Sequence, residues 1–171
     1  MGELAQYDAG VRRYYEKRGP LISFPLKSFD FHMQQLLQWQ LSGQDLERLR
    51  MISSNWNREW DFEASLRRRK EVIVITDTSL KIVFSSYNMQ EMSGYVPQEI
   101  IGKSPKMFQG EMTCEATSSR IREAIQNRTS FRENIVNYKK NGAPYKCEIK
   151  GYPVFDQSGK LVNFIAFEKA A

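Results

Sequence analysis

Few side chains of this 171-residue chain have the types and spacing that catalysis requires. The chain contains one histidine, His32, and two cysteines, Cys114 and Cys147. A single histidine without a matched nucleophile argues against a catalytic triad, and no cysteine and histidine cluster has zinc-ligand spacing. Glycine-rich phosphate loops of the Walker and Rossmann types are also missing. On a partly apolar helical face, His32 is more often a structural residue than a metal or haem ligand.

The most informative segment runs from residue 102 to 110 and reads GKSPKMFQG. Pro105 removes a backbone donor and fixes φ, so this segment cannot be a long regular helix. The preceding residue, Ser104, is pushed toward extended geometry. Two lysines flank the proline, and the apolar pair Met107 and Phe108 predicts a short buried turn.

The elements around this segment predict an α+β domain with an antiparallel sheet. Two apolar runs, 72–76 and 81–84, form a hairpin-like pair around a polar turn. Short helices occupy 88–125, with Thr117 or Ser118 as the cap of the last one. Three strands follow at 131–138, 145–155 and 161–167, joined by glycine-containing turns. Strands grouped before and after a block of helices are typical of this fold class.

The sequence pattern predicts that residues 1–70 form a helical extension in front of the sheet. Helical spacing indicates one helix over 28–43 and a longer one over 44–69, joined at Ser42-Gly43 as a hairpin. The apolar side chains of this segment need a partner surface, which we expect to be the outer face of the sheet or a second copy of the chain. Candidates for that outer face are Ile135, Tyr152, Val154 and Phe164.

Composition restricts the location and the partners. The net charge is +5, and its densest basic run, at 67–70, is a weak nucleic-acid signal that favours a solvated helix end. Two cysteines suit a reducing compartment. No apolar run approaches the ~18 residues that a membrane span needs, and the first residues lack a signal-peptide pattern. We expect a cytoplasmic protein with no nucleic-acid or membrane partner.

Over about residues 71–169 the order of motifs resembles a PAS domain, and within that family the light-oxygen-voltage (LOV) branch. The motifs are Asn88–Tyr95, Pro97–Gly102, the segment at 102–110, Ile121–Ile125 and Asn137–Gly142. The resemblance implies a five-stranded antiparallel sheet that faces short helices across a cavity. It also implies a sensory or signal-relay role and dimerisation through flanking helices. The expected domains are a helical extension over 1–70 and a PAS-like domain over 71–171.

LOV domains bind FMN and form a light-driven bond between the flavin and a cysteine. Pro105 stands at the matching position, and because proline has no nucleophile that bond is excluded. Cys114 follows several residues later and is not expected to replace it. The resemblance assigns six cofactor-facing positions: Lys106, Gln109, Arg122, Asn137, Cys147 and Glu168.

These six positions keep only part of the family's polar set. Lys106 and Arg122 match residues that meet the flavin phosphate, although Lys106 lacks the bidentate fork of arginine. Asn137 matches a ring-contacting asparagine, whereas Cys147 and Glu168 stand where a second asparagine and a glutamine are usual. An ionised Glu168 only accepts hydrogen bonds, so it would repel a ring carbonyl unless it were protonated.

Three functional hypotheses follow from the residues and the resemblance. The first is a non-enzymatic signalling module without bound cofactor, acting through protein–protein interaction as a homodimer or with a signalling partner. The alternative is a small-molecule sensor, with FMN as one possible ligand, that uses the PAS cavity. The third is an enzyme in which Glu168 and Cys147 act as acid and nucleophile, but nothing in the sequence places either beside a base.

Overall fold

The computed structural model describes residues 27–171, with side chains from Met33 onward. A five-stranded antiparallel sheet carries the fold, in the order β2-β1-β5-β4-β3. Its strands are β1 Val72–Thr76, β2 Ile82–Ser85, β3 Phe131–Tyr138, β4 Pro144–Phe155 and β5 Leu161–Ala170. The helices are α1 Lys27–Ile52, α2 Met89–Ser93, α3 Pro97–Ile100 and α4 Glu115–Gln126, with a π-helical turn at Ala64–Arg68 and a 3₁₀ turn at Pro105–Phe108. The predicted α+β class, with a five-stranded antiparallel sheet and short helices, is confirmed.

Helix α1 is continuous through Gly43, so the predicted hairpin with a joint at Ser42-Gly43 is wrong. A glycine inside a helix costs only about 1 kcal/mol, which the neighbouring turns easily outweigh. The Ser42 hydroxyl donates to the Trp39 carbonyl at 2.9 Å within the helix. The second predicted helix is also wrong beyond Ile52, because the chain then turns and forms an isolated bridge from Trp56 to Asp156.

The compact unit that contains the sheet begins at Trp39 and ends at Ala171, and the described residues before it, 27–38, belong to a separate unit. Within the compact unit, the segment from residue 39 to 70 covers the outer face of the sheet. Apolar side chains of this segment form one cluster with outer-face residues of four strands: Leu46, Leu49, Trp56, Phe62 and Leu66 with Ile73, Ile75, Phe84, Val154, Ile165 and Phe167. Of the two partner surfaces expected for the extension, the outer face of the sheet is the one that this segment covers.

Polar contacts fix the position of this covering segment. The Trp56 indole Nε1 donates to Asn163 Oδ1 at 3.2 Å, and the amide of Tyr87 donates to the Asp45 carboxylate at 2.6 Å. The Trp60 ring contacts the Tyr152 ring on the sheet, with 4.9 Å between the ring centres and an angle of 58° between the planes. The segment is thus part of the folded core.

Two of the four residues proposed for the outer face lie on the other face. Tyr152 and Val154 belong with the outer cluster, as predicted. Ile135 instead packs in the inner cluster, and Phe164 lines the cavity on that side. A shift of one residue in register exchanges the two faces of a strand, so composition alone could not assign them.

The inner face of the sheet packs against the short helices. This inner cluster contains Val72, Val74, Ile82, Met89, Met92, Ile100, Phe108, Ile135 and Cys147. The predicted turn around Pro105 is confirmed: Ser104 is extended with ψ 142, and its hydroxyl accepts a hydrogen bond from the Lys106 amide at 3.4 Å. Helix α4 begins earlier than predicted, with Cys114 as its N-cap instead of Thr117 or Ser118.

The basic run at the end of the covering segment is mostly paired. Arg67 bonds Glu63 at 2.6 Å, and Arg69 bonds Glu71 at 2.8 Å. The Arg67 guanidinium also lies 4.2 Å from the centre of the Trp39 ring. The basic run therefore takes part in a local network of surface ion pairs.

Several apolar side chains of α1 remain exposed in the single chain, so their expected burial against a second copy stays a prediction. Leu36 and Leu37 are 52% and 55% exposed, and Trp39 is 63% exposed. His32 and Phe29 lie outside the residues whose side chains are described. Among the described helices, none combines the length and the apolarity needed to cross a membrane.

Candidate ligand-binding site

A cavity of about 360 Å³ lies between the inner face of the sheet, the 3₁₀ turn and α4. Its volume is within the range of small-molecule sites, roughly 300–1,000 Å³. The walls are largely apolar and include Val74, Phe108, Ile121, Ile125, Phe131, Ile135, Ile149 and Phe164. Mostly apolar walls with a few polar groups are typical of ligand pockets.

The structure brings five of the six sequence-predicted residues to this cavity. They are Lys106, Gln109, Arg122, Asn137 and Glu168. Cys147 does not line it; this side chain is buried in the inner cluster beside Glu168, with Sγ 3.8 Å from Glu168 Oε2. Pro105 lines the cavity, whereas Cys114 is exposed at the start of α4 and is not a lining residue.

Two cations stand at the edge of the cavity. Lys106 comes from the 3₁₀ turn and Arg122 from α4, and both side chains are exposed. Neither has a carboxylate within 4 Å among the side chains that the structure describes. Since both charges are free of local ion pairs, they are available to an anionic group of a ligand.

The rim on the sheet side is shaped by a close contact between two strands. The Phe131 ring of β3 lies over Gly151 of β4, its register partner. A Cβ at Gly151 would lie 2.2 Å from a carbon of that ring. Glycine at this position therefore lets the aromatic side chain lie flat against the sheet and form part of the cavity wall.

Asn137 and Glu168 are the buried polar groups predicted for the interior, at 4% and 5% exposure. Burial raises the pKa of Glu168 to about 7, and the hydrogen bond from the Cys147 thiol opposes this shift only in part. Burial, with a contribution from Glu168, also raises the pKa of Cys147. This thiol is therefore poorly suited to act as a nucleophile near neutral pH.

Two hydroxyl groups in the cavity were not predicted from the sequence. Thr76 Oγ1 and Ser118 Oγ are buried and have no hydrogen-bond partner among the described residues. Buried polar atoms are normally paired, and unpaired ones need an explanation such as an unseen ligand. Period-two alternation from Val72 through Val74 could have identified Thr76, because it places this hydroxyl on the inner face of β1.

The residues present fit a ring with an anionic tail. The two cations at the edge suit the tail, and the buried polar side chains of the lining offer hydrogen bonds to polar atoms of a ligand. Glu168 fits a ring carbonyl only in its protonated form. Among the described residues, no group of three or more His, Cys, Asp or Glu side chains is arranged to hold a metal ion.

Comparison with known proteins agrees with this architecture. The sequence profile of the PAS domain matches residues 70–169. The chain therefore belongs to the PAS domain family, and the LOV branch supplies its homologues. Protein TWIN LOV 1 of Arabidopsis thaliana is 39% identical over 88 residues, which are 51% of this chain and 22% of that protein.

Further relatives place such domains in signalling proteins. A blue-light-activated histidine kinase of Rhizobium johnstonii is 30% identical over 103 residues, 58% of this chain and 30% of the kinase. A solved LOV domain, from work on a flavin analogue, has a TM-score of 0.61 at 21% identity and covers 66% of this chain and 86% of that one. That likeness shows the fold. The chain spans less than a third of the length of either curated relative. Together, the family match and these relatives identify it as a PAS domain of the sensory type.

Proposed function

We propose that this chain is a non-enzymatic sensory domain whose cavity binds a small molecule composed of a planar ring and an anionic tail, without a cysteine–ligand bond. FMN is the member of this class that the relatives suggest. The observation that carries the proposal is a cavity of about 360 Å³ with two cations at its edge and with buried hydroxyls that have no partner in the described part of the chain. A signalling module without a bound cofactor, the first of the sequence hypotheses, is less consistent with this arrangement.

The chemistry of the bound group differs from that of a thiol-based photosensor. When bound, FMN would supply light absorption and redox chemistry. Pro105 offers no nucleophile at the cavity wall, and the pKa of Cys147 is raised by burial. The residues of this chain would therefore bind and orient the ring, and the signal would not depend on a covalent bond.

The cheapest test is a visible absorption spectrum of the purified protein, followed by addition of FMN to any colourless preparation. We expect either a co-purified yellow chromophore or saturable uptake of added FMN. Lys106→Ala and Arg122→Ala should each weaken FMN binding by about tenfold, the order expected for loss of one charge-assisted hydrogen bond. Lys103→Ala, an exposed lysine of the same loop that does not line the cavity, is the matched control. A colourless protein that does not take up FMN would contradict the proposal.

We further propose that the signal leaves through a homodimer or a protein partner that covers the exposed apolar side of α1. The residues concerned are Met33, Leu36 and Leu37, each about half exposed or more. Sedimentation of the wild type and of Leu36→Glu with Leu37→Glu tests this, with Val83→Glu as a control at an exposed position on β2. A wild-type protein that stays monomeric at high concentration would contradict the homodimer.

Nucleic acid is not needed as a partner in this proposal. The basic run that first suggested it pairs with acidic neighbours, including Glu63 and Glu71. Paired guanidinium groups contribute little to phosphate binding unless the local pairs are given up.

A further inference from the structure

Glu168 is a carboxyl group at the inner end of the cavity, on β5 between two other strands. Its register partners are Val72 of β1 and Ile149 of β4, both apolar. The side chain is 5% exposed and lines the cavity together with Thr76 and Asn137. It is therefore a polar group that is more than nine-tenths buried and borders an internal space.

The protein supplies no strong partner for this carboxyl group. Within residues 33–171, its one hydrogen bond is from Cys147 Sγ at 3.8 Å, and thiols are weak donors. Among the described side chains, no lysine or arginine nitrogen lies within 4 Å of it. A buried carboxylate without a cation is strongly disfavoured, and the usual response is to take up a proton.

The titratable and charged neighbours do not change this conclusion. From β4, Cys147 and Tyr145 face Glu168, and both are neutral near pH 7 because burial raises the pKa of each. The polar residues of β1 and β3 that line the same cavity are the neutral Thr76 and Asn137. Lys106 on the 3₁₀ turn and Arg122 on α4 stand at the exposed edge of the cavity and form no ion pair with Glu168.

We propose that Glu168, in its protonated form, is the hydrogen-bond donor to the ring end of the bound ligand, so that the cavity selects a ring carrying an acceptor atom there and binds it together with a proton. This inference rests on the proposed function. The acceptor is a carbonyl oxygen or an unprotonated ring nitrogen, both of which flavins carry. The proton stays on Glu168 and is shared with the acceptor, and no covalent bond changes. A ligand with a cationic or donor end would instead require the ionised carboxylate.

The sign of the pH dependence distinguishes these two kinds of ligand. The pKa of Glu168 in the ligand-free protein is raised by burial to about 7. If only the protonated form binds, the dissociation constant rises about fiftyfold from pH 7 to pH 9, since the protonated fraction falls from roughly one half to one hundredth. A ligand with a cationic or donor end would bind more tightly over the same range.

The experiment is a calorimetric titration with riboflavin and with FMN at pH 6.5, 7, 8 and 9. Riboflavin carries no phosphate, so its profile reports on the ring end alone. We expect the affinity of the wild type to fall with pH for both probes. Glu168→Gln keeps a donor that does not titrate, so its affinity should be nearly constant. Glu111→Gln, an exposed position outside the cavity, should behave as the wild type does.

Proton uptake gives a second readout that needs no variant. Titration at pH 8 in two buffers of different ionisation enthalpy should show close to one proton taken up per ligand bound by the wild type. Binding with a flat pH profile and no proton uptake would overturn this inference while leaving the proposed function intact. Failure of both probes to bind the wild type and Glu168→Gln at every pH would overturn the proposed function and this inference with it.

Discussion

Replacement of Glu168 by glutamine should make the ligand-free protein more stable at alkaline pH. Glutamine has nearly the shape of the protonated acid but cannot ionise. In the folded protein burial raises the pKa of Glu168 from 4.5 to about 7. The folded state therefore binds this proton more tightly than the unfolded state does, and the wild type loses stability as the pH rises through this window.

The magnitude follows from the two pKa values. They differ by about 2.5, and each pKa unit corresponds to about 1.36 kcal/mol, so ionisation of Glu168 costs the folded state about 3 kcal/mol. The full difference between Glu168→Gln and the wild type should be present above about pH 8. Near pH 4.5 it should almost vanish, because Glu168 is then protonated in the folded state.

Urea unfolding of protein stripped of any ligand, at pH 4.5, 6 and 8, measures this difference. In the difference between the two proteins at each pH, the contributions of the other titrating groups to stability cancel. One of these groups is Asp45, whose pKa is also raised by burial. Glu111→Gln is the surface control and should follow the wild type. A difference between Glu168→Gln and the wild type that is the same at pH 4.5 and pH 8 would refute the reasoning.

Three further substitutions test the fold, each by urea unfolding. Gly151→Ala would place a Cβ 2.2 Å from the Phe131 ring and should destabilise by about 1–3 kcal/mol, as overpacking does; an unchanged midpoint would contradict this contact. An added Cβ in Gly43→Ala meets open space within α1, so this substitution should raise the free energy of unfolding by about 0.5–1 kcal/mol. A lower free energy of unfolding would indicate that the helix is interrupted at this residue. Asp45→Ala leaves the Tyr87 amide without its acceptor and should cost about 1–3 kcal/mol, more than Asp45→Asn if the bond exists.

The strands were predictable because their signals are local. Val72–Thr76 is an uninterrupted β-branched run, and a strand buried on both faces requires such a run. The turn at 139–142 supplies Gly142 at φ 84, which a glycine adopts without strain. Each predicted strand of the sheet therefore appears within a few residues of its expected bounds.

Features that depend on tertiary context could not be predicted. The break expected at Gly43 is missing, because the local cost of one glycine is small compared with the packing of Leu46 and Leu49 on the sheet. The faces of Ile135 and Phe164 were assigned wrongly, because the register of a strand is decided by its neighbours.

The candidate site shows the same division between local and tertiary information. The resemblance to the LOV branch indicated six cofactor-facing residues, and the structure brings five of them to the cavity, with Lys106 and Arg122 at its edge. The sequence did not reveal that the hydroxyls of Thr76 and Ser118 are unpaired, since the lack of a partner is visible only in three dimensions. The protonation of Glu168 also depends on burial, which no spacing encodes.

The most direct test of the central claim is a fluorescence titration of FMN and riboflavin into the wild type and into the double variant Lys106→Ala with Arg122→Ala. If the cavity holds the ring and the two cations hold the anionic tail, FMN binds the wild type saturably, and the double variant binds it about a hundredfold more weakly. Riboflavin, which lacks the tail phosphate, should bind both proteins with nearly equal affinity. FMN affinity that is the same in both proteins, or no saturable binding of either compound, would contradict the account.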